Sequence, residues 1–228
     1  MKKSIKVRII IFDLLIEIYK KNKNFDDLFT KQLSINNLNE QEKSFVFNVC
    51  LNTMRYALHS KIILNQLIKK KLKTSQYILL ASAITQIVFL NIKPYAVVNE
   101  TVEISKKIGL FPSFINAVLK KTCNNINNFK NIKITKKNLP VWLKENTRLD
   151  LNNFLNSYFL EPDLHLVFKS SKLVDEFKEE FILSSSKSLF VKTQKKIRDL
   201  SCYDKGFWWV QNFSSMIPIK LLPDLLDK

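Results

Sequence analysis

Only two of the 228 residues are glycine, Gly109 and Gly206. Loops that hold nucleotide phosphates or S-adenosylmethionine need glycine where the backbone comes close to the ligand. The chain has no GxGxxG, GxGxG or GxxxxGK motif. We therefore expect no nucleotide or adenosylmethionine pocket of the usual kind within it.

The first 125 residues are typical of amphipathic helices, because apolar residues recur every three or four positions. Several helix ends are also marked. Asn39, with Glu42 three residues later, forms a capping-box pattern, and Gly109 suits a left-handed cap. Pro112 is suited to the first position of a helix. The pattern predicts helices over about 4–21, 25–32, 39–58, 60–71, 75–89, 95–108 and 112–122.

The pattern changes after an Asn- and Lys-rich segment at 123–140, which is typical of a linker. Beyond it, alternating apolar residues predict strands. We predict a helical stretch over about 141–160, a strand over 164–170, a helix over 172–181, a strand over 186–193, an extended segment over 206–212 and a last helix interrupted by Pro218 and Pro223. The predicted fold class is mainly α. An all-α helical domain at 1–128 and a linker at 129–139 precede a small α+β domain at 140–228.

The cysteines and the N-terminal segment indicate the compartment. Cys50, Cys123 and Cys202 are widely spaced and no CxxC occurs, so we expect no disulfide framework or zinc site and infer a reducing cytoplasm. The opening segment is basic and then apolar, like a signal peptide, but Asp13 and Glu17 interrupt it and helical spacing fits better. No apolar run approaches the roughly 18–20 residues of a membrane span, so no membrane partner is expected.

The net charge of +17 is distributed unevenly. Residues 1–139 hold 24 Lys/Arg and 8 Asp/Glu, a net charge of +16, whereas residues 140–228 carry +1. A region this basic attracts polyanions, of which nucleic acid is the commonest. Lys, Asn and Ile are abundant throughout, so compositional bias is an alternative source of lysine. That bias does not explain why the second region is balanced.

The most distinctive segment is PYAVVNETVEISKKIGLFPSFINAVLKK, at 94–121. It resembles the end of the NusB-type RNA-binding domain of bacterial ribosomal RNA cytosine-5 methyltransferases, the small-subunit methyltransferase B (Sun/Fmu) family. That family has a proline, then VNE-VE-AK, a glycine turn and FVNAVLR. The matching residues are Val98, Asn99, Glu100, Val102, Glu103, Lys106, Gly109, Phe114, Ile115, Asn116, Ala117, Val118 and Leu119. Arg8 and Arg55 stand where the family has arginines, although the family's glycine near the second is absent.

The second region resembles the same family. GFWWVQNFSS at 206–215 is similar to the family's G-WWVQD-AS segment, with Asn212 in place of the aspartate. Pro140 and Trp142 match its proline–tryptophan segment, whereas LVFK at 166–169 replaces its LRVN. In the family, these segments lead into a Rossmann-like domain that binds S-adenosylmethionine and carries the catalytic cysteines. The resemblance implies a part that binds small-subunit ribosomal RNA, with no cofactor or catalytic residue among these 228 residues.

Three explanations stay open for the missing catalytic domain. The chain is a truncated piece, a gene fragment, or one half of a split protein whose partner is a separate catalytic domain. The alternative function is a NusB-type transcription antitermination factor, although such a factor normally ends near residue 135. A folded remnant without a present function is a third interpretation.

Exposed basic side chains are the expected RNA contacts. Arg8 ranks first, because guanidinium geometry suits phosphate and base stacking. The other candidates are Lys2, Lys3, Lys6, Lys69, Lys70, Lys71, Lys73, Lys120 and Lys121; for the run at 69–73, the alternative is a solvated helix end. Asn99, Glu100 and Asn116 lie among apolar residues, so we expect them to join two helices, with Arg55 as a candidate partner; direct RNA contact is the alternative.

Overall fold

The computed structural model describes residues 3–145, 150–160, 162–193 and 195–220, with the backbone alone at 3, 33, 219 and 220. The chain divides into two compact units, residues 1–159 and 160–228. The helices of the first unit are α1 (Lys3–Lys21), α2 (Phe25–Ile35), α3 (Glu40–Arg55), α4 (Ala57–Leu67), α5 (Thr74–Ile84), α6 (Pro94–Lys107), α7 (Pro112–Asn124), α8 (Ile126–Lys130), α9 (Val141–Glu145) and α10 (Leu151–Tyr158).

Helix α5 lies at the centre of the first unit. It packs against α1, α3, α4, α6 and α7. All seven residues of Ile78–Ile84 are buried, as expected for a helix that is apolar on every side. Around it, helices that include α1, α3 and α7 turn apolar stripes inward, and their most deeply buried residues include Leu15, Val49 and Leu119. The helices predicted from the periodicity are all present, with ends that differ by a few residues.

The predicted helix boundaries have the expected geometry. Asn39 Oδ1 accepts from the Glu42 backbone N–H, and Glu42 Oε2 accepts from the Asn39 backbone N–H, both at 2.9 Å. Gly109 has a φ of +71°, where a side chain would strain the backbone, so glycine suits the turn between α6 and α7. Pro112 is the first residue of α7. These local signals therefore set the helix ends.

Helix α5 continues into a π-helical turn over Thr85–Phe89. The Leu90 N–H donates to the Thr85 carbonyl at 3.0 Å, which is the i→i+5 bond of such a turn. The extent of the predicted helix at 75–89 is therefore confirmed, but its last turn is wider than an α-helix. Single π turns are rare and often occur at functional positions. This one contains the buried side chain of Gln86.

The segment predicted to be a linker contains short helices. It includes α8 and a 3-10 turn over Lys136–Asn138. Phe129 is buried in the main core, and Leu139 is buried as well. Residues 129–139 thus belong to the first compact unit.

The second unit is built on an antiparallel sheet of β1 (Leu164–Phe168), β2 (Ile182–Ser185), β3 (Ser188–Val191) and β4 (Trp208–Val210), in the order β2-β3-β1-β4. Helix α11 (Phe213–Lys220) follows the last strand. One face of the sheet carries a small apolar core that includes Leu166, Phe168 and Trp208. The Trp208 indole N–H donates to the Ser201 carbonyl at 2.8 Å, so this tryptophan belongs to the unit's own interior. The predicted fold class, a helical domain with a small α+β part, is confirmed.

One local prediction in the second unit is wrong, and one strand was missed. The helix predicted over 172–181 is only a 3-10 turn, Ser171–Glu176, after which Phe177 is extended and buried against the sheet. The Glu179 carboxylate accepts from the Ser201 hydroxyl at 2.5 Å and from the Ser201 backbone N–H. These two hydrogen bonds stabilise the non-helical conformation of this segment. Strand β2 was not predicted, because two of its four side chains are exposed and its apolar pattern is weak.

Candidate nucleic-acid interface

A groove on the first unit brings two of the predicted basic clusters together. One wall is the turn at 68–73, between α4 and α5, and the other is the start and middle of α7. The groove has a volume of about 600 Å³. Its basic lining residues are Lys69, Lys70, Lys71 and Lys121. Lys121 follows the other three by about 50 residues in sequence, and only the packing of α7 beside the turn places all four lysines on one surface.

Two aromatic rings complete this groove. Phe111 is extended immediately before α7, and 74% of the residue is exposed, which is unusual for a phenylalanine. Phe114 lies one turn further along, half-buried against the core. A ring beside several ammonium groups matches the chemistry of a nucleotide, because the ring stacks on a base while the cations attract the phosphate. Phe111 was not predicted from the sequence, where its signal was a large apolar residue directly before a helix-starting proline.

Among the remaining basic candidates whose side chains the structure describes, Lys6, Lys73 and Lys120 do not line the groove. Lys73 and Lys120 are exposed beside it in sequence, and the Lys73 backbone N–H donates to Gln76 Oε1 at 3.0 Å. Lys6 is exposed on α1. Lys2 lies outside the described residues, and only the backbone of Lys3 is described. RNA contacts by these lysines stay predictions.

Arg8 lies inside the first unit. Its guanidinium pairs with the Glu100 carboxylate of α6, and its Nε–H donates to Gln86 Oε1 at 3.2 Å. The guanidinium carbon also lies 5.1 Å from the centre of the Phe45 ring. Burial lowers the pKa of Arg8, and the neighbouring Glu100 partly offsets this. With these contacts, Arg8 could touch phosphate only if the ion pair opened, so the geometry favours a structural role over the RNA contact predicted for it.

The other motif residues differ in their surroundings. Glu100 joins α6 to α1 through Arg8, rather than through the suggested partner Arg55. The Arg55 Nη1–H donates to Asn52 Oδ1 at 3.2 Å on its own helix. Asn99 is exposed, and Asn116 is half-buried on α7. The polar contact between two helices was therefore anticipated for Glu100, but its partner was not.

Gln86 is the residue of this contact that sequence reasoning missed. Its Nε2–H donates to the Ser82 carbonyl at 3.2 Å, which directs its oxygen towards Arg8. The signal was an amide within the mostly apolar stretch 78–89, since a buried amide needs partners. Cys50 is also buried, and burial raises the pKa of its thiol, which makes it a poor nucleophile.

The fold and this groove define a helical bundle whose surface has the charge and aromatic groups of a nucleic-acid-binding domain. Residues 5–124, a little over half of the 228-residue chain, match the model of the NusB family. The chain therefore belongs to the NusB family.

The other comparisons are more distant. No curated protein matches the chain. One solved structure that matches is the crystal structure of PH0851, which is 14% identical over 97% of this chain, with a TM-score of 0.46. The chain spans 56% of the length of that protein. No helix among the described residues is long and apolar enough to cross a membrane.

Proposed function

We propose that the chain binds RNA in the groove between the turn at 68–73 and α7, with an unpaired base against Phe111 and phosphates on the surrounding lysines. The observation that carries this proposal is the exposed Phe111 ring in a groove lined by four lysines. Stacking on an aromatic ring and neutralisation of phosphate are the two main contributions to binding of single-stranded nucleic acid.

The charge distribution supports the same conclusion. The net charge of +16 lies on residues 1–139, which contain the whole groove, whereas residues 140–228 are nearly neutral. A polyanion is therefore attracted to the first unit. We expect RNA affinity to reside there and to fall steeply as salt is added, because each neutralised phosphate releases counterions.

We further propose that the RNA is small-subunit ribosomal RNA and that the chain acts as the RNA-binding part of a cytosine-5 methyltransferase. The resemblance at 94–121 and at 206–215 supports this, and the latter segment contains β4 and the buried Trp208. The methyl donor, S-adenosylmethionine, would bind to a catalytic domain outside these 228 residues. The scarcity of glycine supports the proposal that S-adenosylmethionine does not bind to these 228 residues.

The groove is tested by a Phe111→Ala variant and by a Lys70→Ala/Lys121→Ala double variant, in titrations with a fluorescent single-stranded RNA. Loss of one stacked base costs about 1–3 kcal/mol, so Phe111→Ala should weaken binding roughly 5- to 150-fold. Melting should be unchanged, because the ring is largely exposed. The control is Lys172→Ala/Lys178→Ala, which removes two exposed lysines from the second unit.

The lysine variant should bind more weakly and with a shallower salt dependence than its control. If Phe111→Ala and the lysine variant both bind like the wild type, the groove is not the RNA site. Competition between small-subunit ribosomal RNA fragments and transcript leader RNAs of equal length tests the proposal that the bound RNA is small-subunit ribosomal RNA. A clear preference for the leader RNAs would favour the antitermination alternative. Calorimetric binding of S-adenosylmethionine by the chain alone would contradict the proposal that the methyl donor binds to a separate catalytic domain.

A further inference from the structure

A second basic groove lies in the first unit, beyond the residues that match the NusB family. The segment after α8 forms one side of it, and α10 forms the other. Its volume is about 610 Å³, similar to that of the first groove. The polar residues that line it are Thr135, Lys136, Lys137, Asn152 and Asn156.

The backbone that carries these lysines is fixed at both ends. Phe129 is buried in the core before the segment, and Leu139 is buried after it. Within it, Asn138 Oδ1 accepts from the Thr135 backbone N–H at 2.8 Å and from its hydroxyl at 2.9 Å. Because folding has already ordered this backbone, a ligand that binds here loses less conformational entropy than it would on a loose linker.

The groove presents positive charge and amide groups to the solvent. Lys136, Lys137, Asn152 and Asn156 are all exposed. The ion pairs found within the described ranges do not include either lysine. The carboxylate of Asp150 already accepts from the backbone N–H groups of Asn152 and Asn153 in α10, at 2.9 and 3.4 Å. Ammonium and amide donors in one groove are suited to phosphate oxygens and base edges.

We infer that this second groove binds phosphates of the same RNA and extends the binding site beyond the family domain. The inference rests on the proposed RNA-binding function. Lysines alone on a surface are commonly only solvated. Here they share a formed groove with two amides, on a backbone that is capped by Asn138 and flanked by the buried Phe129 and Leu139, in the region that carries the excess charge.

The test measures RNA affinity of the full chain over a range of salt concentrations, for wild type, Lys136→Ala/Lys137→Ala and the control Lys172→Ala/Lys178→Ala. Each phosphate contact on a single strand contributes about 0.7 to the slope of log affinity against log salt. We expect the slope to become shallower by about 1.4 in the first double variant, which loses two contacts. The control should keep the wild-type slope, although it loses the same charge.

A further variant, Asn156→Ala, should weaken binding without a change in slope, because an amide displaces no counterion. Circular dichroism spectra of all variants should be the same, since every substituted side chain is exposed. If wild type binds and Lys136→Ala/Lys137→Ala has the slope of its control, the second groove is refuted while the first stands. If wild type binds no RNA even at low salt, both proposals fail.

Discussion

Replacement of Glu100 by glutamine should destabilise the first unit, because it leaves the Arg8 guanidinium without its counter-charge. The side chains of Arg8 and Glu100 are 10% and 21% exposed. Removal of one partner from a buried ion pair costs about 3–5 kcal/mol, since the other charge stays desolvated. The partial exposure of Glu100, and the ability of a glutamine oxygen to accept one hydrogen bond, place Glu100→Gln near the lower end, about 3 kcal/mol.

The expected loss is large compared with the total stability of a domain, about 5–15 kcal/mol. One kcal/mol shifts the melting temperature of a protein of 150–250 residues by about 2–4 °C, so the shift should be roughly 6–12 °C. Thermal melting followed by helical circular dichroism measures it directly. The matched control is Glu103→Gln on the same helix, where the carboxylate pairs with Lys106 at the surface and the effect should stay below about 1 kcal/mol.

A double variant distinguishes the contribution of the ion pair to stability from that of side-chain packing. Arg8→Met/Glu100→Leu replaces both charges by apolar groups, and such exchanges are often neutral or stabilising. It should melt above Glu100→Gln but somewhat below the wild type, because the buried Gln86 Oε1 loses the Arg8 donor. Equal melting of Glu100→Gln and Glu103→Gln would refute the reasoning. If the double variant is stable but binds RNA much more weakly, Arg8 has the RNA-contacting role that its sequence position suggested.

Two further predictions concern single residues of the first unit. His59 is buried beside Phe89 and Phe159, and burial lowers its pKa below the ordinary 6.5. The unfolded chain then binds a proton more readily than the folded one, so stability should fall as the pH drops below about 7. In urea denaturation, the free energy of unfolding should depend less steeply on pH for His59→Phe than for the wild type. An unchanged pH dependence would assign the effect to other groups. Asn116 is half-buried and makes no side-chain hydrogen bond with a described residue, so Asn116→Leu should change the free energy of unfolding by only about 0.5 kcal/mol. A loss of about 1–3 kcal/mol in denaturation would instead support a buried polar partner for this amide.

The helices of the first unit were predictable because their signals are local. Apolar periodicity places the helices, and short-range hydrogen bonds end them. The Asn39 capping box, the turn at Gly109 and the proline at the start of α7 each involve residues within a few positions of one another. The charge imbalance and the family resemblance could also be recognised from the sequence, because they depend on residue identity and order alone.

Local propensity was not sufficient in the second unit. Residues 172–181 have a helical pattern, but Phe177 is drawn into the core of the sheet and Glu179 binds Ser201, more than 20 residues away. Contacts with distant residues outweighed a propensity worth a fraction of a kcal/mol per residue. The weakly patterned strand β2 forms because β3 is available beside it.

The candidate site, like the fold, was predictable from the sequence only in part. Sequence alone determined that the first region is helical, strongly basic and of NusB type, and it identified the lysines at 69–71 and at 121. Only the tertiary structure decided that these lysines face one groove with Phe111, and that Arg8 turns inward to Glu100, 92 positions away in the chain. An arginine on an amphipathic helix looks the same in sequence whether it meets solvent or a carboxylate. The difference arises from which helix packs against it, and that is a property of the whole fold.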